Sequence, residues 1–133
     1  MWKALPFLFS LLLLAGCSSS AEDVSYRQVI MAEAMDIMDT EQDYIILDVR
    51  TPEEFRERHI PGAVNVPNES IGAVEPEVLP EKDQLILVYC RSGNRSKQAS
   101  QKLAAMGYTN VVEFGGINDW PGATVSETEE SPA

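Results

Sequence analysis

The chain has 133 residues, with 21 Asp and Glu against 10 Lys and Arg, one His, two Cys and 44% hydrophobic residues. That length suits one domain, and a net charge of −11 excludes a general nucleic-acid binder, whose affinity comes from basic surface meeting phosphate. A zinc finger needs four Cys or His ligands and a disulfide scaffold needs several bridges, so this composition excludes both.

Residues 1–16, MWKALPFLFSLLLLAG, hold one Lys and then an apolar run from Ala4 to Ala15. The run is shorter than the about 20 residues of a transmembrane helix. It has the shape of a secretory signal, with a basic start, an apolar middle and small residues at the end. Leu14-Ala15-Gly16-Cys17 resembles the bacterial lipobox, in which the chain is cut before the Cys and that Cys receives lipid. The resemblance implies a lipid on Cys17, a polar tether through residue 23, and a protein held on a bacterial membrane outside the cytoplasm. Several acyl chains anchor firmly, since each buried methylene contributes about 0.8 kcal/mol. An ordinary secretory signal is the plainer alternative. If Cys17 carries lipid, Cys90 has no partner in the chain, and an unpaired Cys in an exported protein calls for an explanation.

The domain is expected over residues 24–122. Val24 to Ile30 suits a short opening strand, and Met31 to Met38 a helix with Ala34 and Ile37-Met38 on its apolar face. Tyr44 to Val49 is a continuous apolar run broken only by Asp48, as in a strand covered on both faces. Thr51-Pro52-Glu53-Glu54 has a capping hydroxyl, a first-turn Pro and first-turn acids, and so starts a helix. Pro61-Gly62 ends that helix, and Ala63 to Pro67 is a short strand stopped by Pro. Residues 68–83 read as a Pro- and Glu-rich loop with one short helix. Gln84 to Tyr89 is a second buried strand, Cys90 to Arg95 a compact polar loop, and Ser96 to Met106 a helix ended by Gly107. Asn110 to Phe114 forms a further strand, followed by Gly115-Gly116 and a segment holding Trp120. The acidic tail from residue 123 is expected to be disordered. Strands alternating with helices over short connections point to an α/β fold with a mostly parallel sheet, whose ligands bind beyond the carboxyl ends of the strands.

Cys90 sits at such an edge. It follows a buried strand directly and precedes a helix, so loop amides and the positive end of the helix face its sulfur. Arg91, Arg95 and Lys97 add cations within a few residues, and Gly93 lets the loop curl. Each of these features favours thiolate, and surroundings of this kind bring a free Cys from about 8.5 down to between about 3.5 and 7.5. A buried structural Cys is the plainer alternative.

The segment Cys90-Arg91-Ser92-Gly93-Asn94-Arg95-Ser96 resembles the active-site loop of the rhodanese-family sulfurtransferases. So do Leu47-Asp48-Val49-Arg50-Thr51-Pro52-Glu53-Glu54-Phe55, the run from His59 to Pro67, and the closing Gly115-Gly116-Ile117-Asn118-Asp119-Trp120. The resemblance implies a rhodanese-like three-layer fold, with a five-stranded mostly parallel sheet flanked by helices. Loop length separates the relatives: six residues from the Cys, as here, is similar to the rhodaneses, whereas the phosphatases of this fold use seven. The tyrosine phosphatases want Arg where Ser96 stands.

The resemblance further implies that a Cys90 thiolate takes the outer sulfur of thiosulfate, releases sulfite, and passes the persulfide to cyanide or a thiol. No metal or organic cofactor is needed, and the protein is expected to be a monomer. Arg91 and Arg95 are the candidates for binding the anionic donor, with amides of Arg91, Ser92, Gly93, Asn94, Arg95 and Ser96 holding the persulfide. Arg95 could instead form an internal ion pair, with Asp48 as the expected partner. Asp48 and Arg50 read as scaffold beside the site, His59 as a hydrogen-bonding support of the Pro61-Gly62 turn, and Trp120 as packing beneath the site. A persulfide carrier or redox relay with little thiosulfate turnover is the other functional reading. A phosphatase or arsenate reductase is opposed by loop length.

Overall fold

The computed structural model describes residues 25–72 and 74–127. The expected signal peptide, Cys17, its tether and the last six residues lie outside this range. Five strands form one parallel sheet: β1 (Arg27–Gln28), β2 (Tyr44–Asp48), β3 (Val64–Asn65), β4 (Leu85–Cys90) and β5 (Val111–Gly116). Their order is β1-β5-β4-β2-β3, so β4 is central and lies between β2 and β5. Helices α1 (Met31–Thr40), α2 (Pro52–Glu57) and α3 (Asn94–Ala105) connect them, with short 3-10 turns at Asn68–Ser70 and Ile117–Asp119. This is the α/β architecture expected from the sequence.

Strand periodicity divides the core into two layers, because alternate side chains point to opposite faces. Leu47 and Val49, then Ile86, Val88 and Cys90, pack with Ala99 and Leu103 of α3. Ile46, Leu87 and Tyr89, then Val112 and Phe114, pack with Ala34 of α1 on the other face. A Cys at the last position of β4 therefore falls on the α3 side by parity, beneath the start of that helix.

The carboxyl end of β2 is fixed beside it. Asp48 is fully buried, and its carboxylate accepts from Arg50 through Nε at 3.1 Å, Nη2 at 2.7 Å and the backbone amide at 2.9 Å. Arg50 Nη2 also donates to the Arg58 carbonyl at 2.6 Å, which ties the end of α2 to the same point. Asn65 of β3 donates to the Asp48 and Arg50 carbonyls at 3.0 and 2.9 Å. Burial raises the Tyr89 phenol well above its ordinary value, helped by the neighbouring Asp48 carboxylate, and its hydroxyl accepts from the Ile60 amide at 3.1 Å. The paired scaffold residues thus lock β2, β3, α2 and β4 together at one sheet edge.

Several bounds differ from the sequence expectation. The opening strand shrinks to two residues at the sheet edge. Helix α3 starts at Asn94, two residues early, because Gly93 takes a left-handed φ of 110° and turns the chain directly into the helix. The domain also extends past residue 122. Val125 forms an antiparallel bridge with His59, with hydrogen bonds of 2.9 and 3.0 Å, and the Glu127 amide donates to the Arg56 carbonyl at 3.1 Å. The first part of the expected disordered tail is therefore strapped across α2.

Removing one partner of a buried ion pair leaves the other charge uncompensated, at a cost of about 3–5 kcal/mol. Asp48→Ala should lower the unfolding free energy by about that amount in urea denaturation, and a loss well below about 1 kcal/mol would contradict the account of this edge.

Candidate active site

Cys90 is 1% exposed. The Gly93 amide donates to its sulfur at 3.0 Å, and its thiol donates to Ser96 Oγ at 3.4 Å. Burial alone would push the thiol up. The Ser96 hydroxyl and the amides of Ser96, Gly93 and Ser92 outweigh it, and the net result is a thiol below its ordinary value. Successive amides around a concavity bind anions well, and here they close on one sulfur atom.

The loop is held from β5. The 3-10 turn that follows β5 donates the Asn118 amide to the Arg91 carbonyl at 3.2 Å. Gly116 lies so close to the loop that an added methyl would overlap the Arg91 carbonyl and the Ser92 nitrogen. Gly93 requires glycine for its positive φ.

Of the arginines near the sulfur, Arg95 is tied into an ion pair, though its charge still acts on Cys90 through space. Arg95 forms a two-pronged pair with Glu54, at 2.7 and 3.0 Å, so the expected Asp48 partner is replaced by Glu54. Asp48 is already committed to Arg50. Glu54 in turn belongs to the capping box of α2: its amide donates to Thr51 Oγ1 at 3.2 Å and its carboxylate accepts back from the Thr51 hydroxyl and amide. The hydrogen bonds from Arg95 lower the Glu54 carboxyl to about 2. Arg91 is exposed and lines a small cavity of about 140 Å³ with Arg50, Arg58, Glu54 and Asn118. Ser92, Asn94 and Lys97 also face outward, while Gly93 and Ser96 are buried.

Two supporting residues sit elsewhere than expected. His59 stacks flat on Phe55, with centroids 3.8 Å apart, and its Nδ1 lies 2.8 Å from the Phe55 carbonyl. It braces the end of α2 rather than the Pro61-Gly62 turn. Trp120 packs against the cluster on the α1 face and donates to the Ala123 carbonyl at 3.0 Å, so it lies across the sheet from the sulfur rather than beneath it. The sequence reading missed Glu113. This residue is 3% exposed and accepts from Ser96 Oγ at 2.6 Å and the Gly115 amide at 2.8 Å. The available signal was a lone acid inside an apolar strand run.

The family model of the Rhodanese-like domain matches residues 31–123. The chain belongs to the rhodanese family. It is 38% identical over 73 residues to Thiosulfate sulfurtransferase PspE of Escherichia coli, covering 55% of this chain and 70% of that protein. It is 30% identical over 138 residues to Thiosulfate:glutathione sulfurtransferase of Saccharomyces cerevisiae, covering 90% and 93%. Its fold is similar to the solution NMR structure of the Rhodanese-like domain from the Anabaena sp Alr3790 protein, with a TM-score of 0.67, 26% identity, and coverage of 82% of this chain and 86% of that one. The chain spans only about a fifth of some larger curated relatives it matches. Taken with these relatives, the rhodanese domain makes this chain a sulfurtransferase.

The Glu54 carboxyl gives this site a pH signature. A carboxyl held at about 2 in the fold, against an ordinary 4.5, contributes stability above 4.5 and loses it as pH falls toward 2. Glu54→Gln should cost about 1 kcal/mol at neutral pH, with the difference from wild type closing across that acid window in urea titrations. A difference independent of pH would contradict the assignment.

Proposed function

We propose that this chain is a thiosulfate sulfurtransferase working through a persulfide on Cys90. One observation carries the reading: a nearly buried sulfur is kept below its ordinary thiol value by the Ser96 hydroxyl and three loop amides. The thiolate is the reactive form. Its lone pair attacks the outer sulfur of thiosulfate, the sulfur–sulfur bond to sulfite breaks, and sulfite leaves with the bonding pair. The outer sulfur stays on Cys90 as an anionic persulfide, which the same amides stabilise without reorganising. Cyanide or a thiolate then attacks that sulfur and returns Cys90 as thiolate. Such a covalent intermediate gives ping-pong kinetics.

Arg95 is held by Glu54 and supports the loop from below. Of the two candidate arginines, Arg91 forms no ion pair among the described residues and is the one left to meet the arriving donor. The names of the Escherichia coli and Saccharomyces cerevisiae relatives both specify thiosulfate, which supports this choice of donor. The protein acts as a monomer outside the cytoplasm, anchored through lipid on Cys17 to a bacterial membrane.

After exposure to thiosulfate, intact mass spectrometry should show one added sulfur on Cys90, and thiocyanate should form when cyanide is added. Cys90→Ser should lose both while keeping its fold. Labelling of Cys90 by another donor with negligible thiosulfate turnover would favour a persulfide carrier instead. Separately, Cys17→Ser should move the protein from the membrane fraction to the soluble one at unchanged turnover, and an unmoved protein would remove the anchor.

A further inference from the structure

Glu113 has no role in the steps above, yet it is a 3%-exposed acid on β5, the strand beside the one that carries Cys90. Among the described residues it forms no ion pair. A buried carboxylate without a cation is costly, so its placement asks for a function. Its oxygen Oε1 lies 2.6 Å from Ser96 Oγ, and the same Ser96 Oγ lies 3.4 Å from the Cys90 sulfur. Three side chains from β4, α3 and β5 therefore form one continuous hydrogen-bonded chain.

A serine hydroxyl has one proton to give. Ser96 has three acceptors in reach: Glu113 Oε1 at 2.6 Å, the Gly93 carbonyl at 3.0 Å and the Gly115 carbonyl at 3.3 Å. The shortest is the one whose length matches a hydroxyl bonded to a charged oxygen, about 2.5–2.7 Å. With its proton committed to Glu113, Ser96 turns a lone pair toward Cys90 and accepts the thiol proton.

Resting on the sulfurtransferase reading of Cys90, we propose that Glu113 takes the Cys90 proton through the Ser96 hydroxyl, so that thiol and carboxyl share one proton. The transfer balances. The S–H proton moves to Ser96 Oγ, the Ser96 proton moves to Glu113 Oε1, and the negative charge passes from the carboxylate to the sulfur. The new thiolate receives a hydrogen bond from Ser96, while Glu113 becomes a neutral acid, the form cheaper to bury. The charge thus leaves a site with one amide donor, Gly115 N at 2.8 Å, for a site lined by several. Glu113 never touches the reacting sulfur and acts through Ser96.

Other charges surround the pair. Arg95 with its partner Glu54 lies on the α2 side, and Asp48 with Arg50 at the end of β2. Glu113 also borders a cavity of about 610 Å³ with Lys97 from α3, Glu33 from α1 and Asp119 from the closing turn. None of these comes within ion-pairing distance of the Glu113 carboxylate.

A shared proton has a distinctive titration, because the two groups lose protons in two steps that belong to the pair. Alkylation of Cys90 by iodoacetamide, followed by mass spectrometry across pH, should rise to a plateau and then rise again. Glu113→Gln, which keeps the shape and the acceptor oxygen, should show a single step. A single step in both chains would overturn the proposal. A second measurement needs no variant. At the plateau, the infrared spectrum of the wild-type chain should contain the carbonyl stretch of a protonated carboxyl that vanishes when Cys90 is alkylated, since an uncharged thioether no longer opposes Glu113 ionisation. Absence of that band would equally overturn it. Neither readout uses a sulfur donor, so loss of thiosulfate turnover leaves them interpretable on their own.

Discussion

The structure depends on one unfavourable placement made favourable: a sulfur anion in a site that is almost closed to water. Burial disfavours charge, and Cys90 is 1% exposed. What reverses the sign is the set of loop donors, Ser96 Oγ and the amides of Ser92, Gly93 and Ser96. Those amides converge only if the chain leaves β4, turns through a left-handed glycine at once and enters α3. β5 must also lie tight against the loop, which is why Gly116 has no room for a side chain. Local backbone, sheet order and site chemistry are therefore one constraint.

The electrostatics follow the same economy. The chain carries a net charge of −11, which at long range opposes an anionic donor, most strongly at low salt. Two of the arginines around the site are already neutralised in pairs, Arg50 with Asp48 and Arg95 with Glu54. Their work is mechanical: each pair clamps a different element to the sheet edge around β4. Fixed dipoles serve the charge, and paired ions hold the dipoles in place. Glu113 adds a proton-holding partner to the same arrangement in our proposal.

The fold was largely legible because its signals are local or periodic. Tyr44 to Val49 and Gln84 to Tyr89 read as strands covered on both faces, and β2 and β4 sit there. The Thr51-Pro52 start of α2 carries the capping box its sequence advertised. The strand–loop–helix setting in the sequence also pointed to Cys90. What stayed illegible depends on which distant segments meet. Glu54 and Arg95 are 41 residues apart, and nothing local chooses Glu54 over Asp48 as the partner. The bridge of His59 to Val125 follows from how the tail crosses α2. Glu113 reads as an ordinary strand residue until α3 sets Ser96 over it.

The most direct test is a pH titration of thiolate ultraviolet absorbance, taken as the difference between the wild-type chain and Cys90→Ser. Half of the Cys90 thiolate should have formed at a pH below 9.0, the ordinary value for the thiol. A midpoint at or above that value would mean that burial, not the loop, decides the charge of the sulfur, and would contradict the account.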